Sequence, residues 1–179
     1  MKFIEDYLKE NEVDAGLSAV ILSLFSSVKK IAKAVNEADG EKAGSQNVFG
    51  EEQLALDVLS DKIVMNELKD NGFCGLYASE ELPDVVDLGE GEYAVATDPL
   101  DGSSLVDVNL SVGTIAGIYR SKDLIGIKGD EQLASMIAVY GPSTTIFLTV
   151  RKGVVKFFLN EDDKFVLTGE DCEVGEGKM

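Results

Sequence analysis

Asp98-Pro99-Leu100-Asp101-Gly102-Ser103-Ser104 sets two carboxylates and a run of small residues at the end of an expected strand. Before it, Tyr93-Ala94-Val95-Ala96-Thr97 is partly β-branched, and Pro99 is expected to halt the ladder. Proline presets φ for a turn, so Asp98 and Asp101 can point at a common centre. Gly102, Ser103 and Ser104 can then offer successive main-chain N–H groups to an anion. Two acids for a hard cation, beside donors for a phosphate, is a layout suited to metal-assisted phosphoryl chemistry. An ordinary Asp-Pro turn with a glycine exit is the competing reading of the same seven residues.

Outward from this stretch, the pattern separates helices from strands. Leu17, Val20, Ile21, Leu24, Phe25, Val28, Ile31, Ala32 and Val35 recur at helical spacing, predicting a long amphipathic helix over roughly residues 14–38 with Asp14 as its cap. Residues 40–50 are polar and glycine-rich and read as a mobile loop. A second helix is expected from about Glu51 to Lys69, with Asn71-Gly72 as its stop. Strands are expected at 73–79, 93–97, 111–120, 143–150, 154–159 and 164–168, and a short helical pattern at 130–138. Helices first and then a largely antiparallel sheet is an α+β layout, with long N-terminal helices packed on the sheet.

Composition narrows the chemistry. The chain has 179 residues, a formal charge of −17, two cysteines and no histidine. Such an acidic surface, with Arg120 and Arg151 as its only arginines, argues against nucleic acid as a partner. No apolar run approaches the ~18 residues of a membrane span, so no membrane partner is expected either. The first residues lack the apolar core of a secretory signal, and Cys74 and Cys172 suit a reducing, cytoplasmic setting. Without histidine, Ser-His-Asp, Cys-His and histidine-based zinc chemistry are excluded. Oxygen ligands remain, and they select Mg²⁺, Mn²⁺ or Ca²⁺.

Acidic residues gather where elements end. Glu80 and Glu81 close one expected strand, Asp98 and Asp101 another, and Glu51, Glu52 and Asp57 open the second helix. If the two strands are neighbours, their terminal acids meet, and adjacent uncompensated carboxylates favour a divalent cation. Asp57 lies among Leu54, Leu56, Val58 and Leu59, near a buried face, whereas Asp61 is expected to face water. Ser103 and Ser104 have no base partner in sequence, so amide donation is expected of them rather than nucleophilic attack.

The Asp98–Ser104 stretch followed by Val112-Gly113-Thr114-Ile115 resembles the class I fructose-1,6-bisphosphatases and their sedoheptulose-1,7-bisphosphatase relatives. Leu56-Asp57-Val58-Leu59-Ser60, Ser79-Glu80-Glu81 and Val139-Tyr140-Gly141-Pro142 extend the resemblance across nearly the whole chain, in the family's order. Gly50-Glu51-Glu52-Gln53-Leu54-Ala55 and Ser104-Leu105-Val106-Asp107-Val108-Asn109 lean toward the sedoheptulose branch. Inositol monophosphatases, in the wider superfamily, match the motifs less well.

The resemblance implies release of the 1-phosphate from a ketose bisphosphate with two or three Mg²⁺ ions, or Mn²⁺. Under it, Glu51, Glu80, Asp98, Asp101 and the Leu100 carbonyl would hold metal. Asp57 and Glu81 would orient and deprotonate the attacking water. Gly102, Ser103 and Ser104 would bind the substrate phosphate through main-chain amides. A homo-oligomer is implied as well. Residues 1–179 would form the N-terminal metal-binding half of the sugar-phosphatase fold, the C-terminal sugar-binding domain being absent from this chain. The rival reading is a catalytically incomplete N-terminal fragment serving assembly or regulation. Leu105 departs from the family's asparagine, and Glu92 stands where animal members place a lysine for inhibitory AMP.

Overall fold

The computed structural model describes residues 1–37, 42–46 and 52–175. Three helices, α1 (Ile4–Glu10), α2 (Ala15–Glu37) and α3 (Ala55–Asn71), cover one side of a large sheet. Its strands are β3 (Cys74–Ser79), β4 (Val86–Asp87), β5 (Tyr93–Asp101), β6 (Val112–Arg120), β7 (Ala134–Tyr140), β8 (Thr144–Thr149), β9 (Val155–Leu159) and β10 (Phe165–Gly169). They lie in the order β10-β9-β8-β7-β6-β5-β3-β4. Every pairing among these strands is antiparallel except β3 with β5. A separate two-stranded ribbon pairs β1 (Lys42–Gln46) with β2 (Glu52–Leu54), so part of the expected loop is extended and paired. The chain is therefore α+β, as its residue pattern implies.

The core forms where the apolar stripe of α2 meets alternate residues of the strands. Val20, Ile21, Leu24, Phe25, Val28 and Ile31 are buried against Val95, Ile118, Met136, Ile146 and Phe157. Phe25 meets Phe157 and Phe165 edge-on at 5.4 and 5.0 Å. By length and hydropathy α2 could cross a bilayer, but here it is a core helix with its stripe covered by the sheet.

Polar contacts fix where the helices begin and end. Asp14 caps α2, its Oδ1 accepting the N–H groups of Gly16 and Leu17 at 3.1 Å each. The same oxygen accepts the Tyr93 hydroxyl at 2.6 Å, and Arg120 reaches Asp14 Oδ2 at 3.2 Å, pinning the helix to the start of β5 and the end of β6. At the far end of α3, Gly72 takes φ +72°, and Asn71 Oδ1 accepts the N–H groups of Phe73 and Cys74. Glu92 faces Arg120 at 3.8 Å in this cluster, at the opposite end of β5 from Asp98.

Several expectations need correction. Residues 134–140 form a strand, not a helix, and only a short 3-10 turn, Gly129–Glu131, precedes it. The spacing misleads because Ala134, Met136, Ala138 and Tyr140 face the core while Ile137 and Val139 are also apolar. Pro99 does not end its strand, since β5 runs on to Asp101 through a register irregularity. The second helix starts at Ala55, four residues after Glu51, which lies outside the described residues. Asp61 does not face water: it is 5% exposed and accepts the hydroxyl of fully buried Tyr77 at 2.8 Å. Burial, then the adjacent carboxylate, pushes the Tyr77 phenol far up, so it stays a donor.

Tyr77→Phe removes that donor from the buried Asp61 carboxyl. It should lower the unfolding free energy by about 2 kcal/mol in a urea titration. A loss under about 0.5 kcal/mol would show that the pair does not couple α3 to β3.

Candidate metal and phosphate site

Parallel pairing brings the two acidic strand ends together. Ser79 lies opposite Thr97 in the β3–β5 register, and the Glu80 N–H reaches the Thr97 carbonyl at 3.2 Å. Because β3 and β5 run in the same direction, their C-terminal ends share one edge, with Glu80 beside Asp98. The two carboxyls are close enough to act on each other. Burial first, then the Glu80 hydrogen bond and charge, push the half-buried Asp98 carboxyl up to about 7; the charge of Asp101 acts in the same direction.

A β-bulge places Asp101. Asp98 pairs with Ile115 and Asp101 with Gly113, so Pro99 and Leu100 together oppose Thr114 alone. Residues three apart on a regular strand point to opposite faces. The extra residue in the bulge returns Asp101 to the face that carries Asp98, opposite the helices. Proline fits because a bulge leaves one N–H without a ladder partner. Leu100 is buried in the core, and its N–H donates to Asp98 Oδ1 at 3.1 Å. The Pro99 carbonyl accepts the Thr114 hydroxyl at 2.8 Å, and Thr114 meets the Tyr140 hydroxyl at 2.7 Å.

Beyond the bulge Gly102 adopts φ +76°, a left-handed conformation that favours glycine, and a 3-10 turn follows at Ser103–Val108. The Leu105 N–H bonds back to the Gly102 carbonyl at 2.8 Å, so the preceding N–H groups of Ser103 and Ser104 open the turn. First-turn amides have no acceptor within their own turn and are available to an outside anion. Asp57 sits in the first turn of α3 and is 4% exposed. Glu81 is half-buried just past β3, its N–H donating to Ser79 Oγ at 3.2 Å.

The residues thus divide into groups. Glu80 and Asp98 stand side by side; Asp101 lies on the face of Asp98 and acts on it through its charge. Among the described residues no cluster of three or more metal-binding side chains is assembled. No ion pair among those residues neutralises Glu80, Asp98 or Asp101. Two adjacent carboxyls with only oxygen donors, and no ion pair among the described residues, fit a hard divalent cation. Sequence reasoning left Thr114 and Tyr140 without a role, because a buried hydroxyl in a strand carries no motif of its own.

Residues 2–170 match the family model for the N-terminal domain of fructose-1,6-bisphosphatase. The chain is 38% identical to chloroplastic sedoheptulose-1,7-bisphosphatase of Spinacia oleracea, over 98% of its own length and 47% of that protein. It is 43% identical to the class 1 fructose-1,6-bisphosphatase of Syntrophotalea carbinolica, over 90% of itself and 51% of that protein. The chain therefore spans about half the length of these relatives. The crystal structure of Leishmania major fructose-1,6-bisphosphatase in holo form superposes with a TM-score of 0.88 at 27% identity, covering 95% of this chain and 59% of that one. With the matching domain, the shared sheet and two relatives from both branches, the chain belongs to the fructose-1,6-bisphosphatase family.

Proposed function

We propose that this chain is the metal-bearing half of a cytoplasmic, Mg²⁺-dependent sugar bisphosphatase that releases the 1-phosphate of fructose 1,6-bisphosphate or sedoheptulose 1,7-bisphosphate. The observation that carries the reading is the juxtaposition of Glu80 and Asp98, two acids without a basic partner among the described residues, at the edge that leads into the Gly102–Ser104 amides. Bound Mg²⁺ would polarise the phosphoryl group and make water a competent nucleophile near neutral pH. Glu80, Asp98 and Asp101, with the Leu100 carbonyl and Glu51, would hold two or three such ions. Asp57 and Glu81 would orient the attacking water and take its proton. The amides of Gly102, Ser103 and Ser104 would bind the phosphate as charge develops on it. Two unpaired cysteines fit a reducing compartment.

A second reading has its own support. The chain spans about half of its relatives, and the described residues supply an acidic pair rather than a complete cluster. On that reading the chain binds Mg²⁺ but does not turn over substrate, and acts in a larger assembly.

Phosphate release from both bisphosphates, with and without Mg²⁺, separates the two. The first reading expects Mg²⁺-dependent release. It also expects Asp98→Asn to cost more than about 100-fold, beyond the 10–100-fold typical of losing an outer partner of a metal site. Full activity in that variant would remove Asp98 from the site. Mg²⁺ binding by calorimetry without any release would favour the second reading.

The raised Asp98 pKa gives a test that needs no substrate. In EDTA, its folded form keeps the proton up to about 7 while the unfolded form releases it near 3.8. Its stabilising contribution is therefore complete below the unfolded pKa and is lost as pH rises through about 7. The full shift corresponds to about 4 kcal/mol, and solvent screening of a half-exposed group reduces the expected loss to about 2 kcal/mol. Thermal unfolding should show this slope in the wild type and not in Asp98→Asn. Parallel curves would contradict the raised Asp98 pKa.

A further inference from the structure

Two buried hydroxyls connect to Asp98 through one peptide plane. Thr114 is 1% exposed and Tyr140 4% exposed, and their hydroxyl oxygens are 2.7 Å apart. Distance alone leaves the donor open, but bonding capacity decides it. The Pro99 carbonyl can only accept, so the single Thr114 proton goes to it, at 2.8 Å. Tyr140 must then donate to Thr114. Burial pushes the Tyr140 phenol well up, consistent with a hydroxyl that keeps its proton.

The Pro99 carbonyl belongs to the same rigid peptide unit as the Leu100 N–H. That N–H points the opposite way and donates to Asp98 Oδ1 at 3.1 Å. Holding the carbonyl therefore sets the direction of the N–H, and the N–H occupies one carboxylate oxygen of Asp98. The bulge makes this arrangement possible, since Thr114 faces two residues where a regular ladder would give it one.

We propose that Tyr140 and Thr114 are positioning residues. Through the Pro99–Leu100 peptide they orient the Asp98 carboxylate so that its other oxygen is presented beside Glu80, ready for a divalent cation. The inference rests on the proposed metal site for its function, but the relay itself is a property of the metal-free chain. Outer hydrogen-bond partners of this kind commonly change metal affinity by 10–100-fold.

The test uses the full chain and three variants: Tyr140→Phe, Thr114→Val and Thr114→Ser. Amide hydrogen exchange at Leu100, read by NMR in EDTA at fixed pH, reports the relay without metal. Calorimetric titration with Mg²⁺ alone reports its consequence. Thr114→Val should speed Leu100 exchange about tenfold and weaken Mg²⁺ binding about tenfold, and Tyr140→Phe should do both by a smaller factor. Thr114→Ser keeps the hydroxyl and should restore both. A merely structural role would lower the unfolding midpoint and leave Leu100 exchange relative to its neighbours, and Mg²⁺ affinity, unchanged. That result overturns the proposal. If Thr114→Val does not fold, Tyr140→Phe against Thr114→Ser decides the question. If the wild type binds no Mg²⁺ while Leu100 exchange still responds, the metal reading fails and the relay stands; if Mg²⁺ binds and Leu100 does not respond, the relay fails and the site stands.

Discussion

One parallel pairing in an otherwise antiparallel eight-stranded sheet determines where chemistry can occur in this molecule. Antiparallel neighbours end at opposite edges, so their terminal residues do not meet. In this sheet β3 and β5 are the neighbours whose chain exits lie side by side at one edge, which sets Glu80, just past β3, beside Asp98 near the end of β5. Bringing two acids together away from bulk water is unfavourable, and burial with the neighbouring Glu80 pushes the Asp98 carboxyl up to about 7. Oxygen donors of this kind suit a hard divalent cation.

The strands that carry these acids are held at both ends. At the start of β5, Tyr93 is locked between Asp14 and Arg120; Tyr77 in β3 is tied to Asp61 of α3. At the site, the bulge and the Thr114 hydroxyl fix the turn between Asp98 and Asp101. Ligand geometry needs side chains whose positions are determined by packing and by further hydrogen bonds, and a sheet with a locked bulge meets that need better than a loop. The 3-10 turn at Ser103–Val108 follows without a break, so the amide donors inherit the same frame.

Much of this was readable from residues alone. The apolar spacing from Leu17 to Val35 located α2, Asp14 was its cap, and the last three strands lay where turn residues bracket them. The convergence of strand-end acids followed from position, given the condition that the strands were neighbours. What the residues concealed was local geometry. Pro99 reads as a stop, because nothing in its sequence distinguishes a turn from a bulge that lets the ladder resume. The strand at Ala134–Tyr140 is apolar on both faces, which erases the alternation that marks a strand. Asp61 looked solvated because its donor, Tyr77, is sixteen residues away and comes close only through tertiary packing. Thr114 and Tyr140 were silent for the same reason.

On the proposed function, the parallel pair and the bulge build a seat for a divalent cation at Glu80 and Asp98. Manganese supports an element-specific X-ray signal, so anomalous diffraction from crystals grown with Mn²⁺ examines it most directly. A peak is expected about 2.1–2.3 Å from a carboxylate oxygen of each of these two residues, an oxygen-ligand distance for such ions. Glu80 and Asp98 side by side, with no anomalous density beside them at saturating Mn²⁺, would contradict that reading.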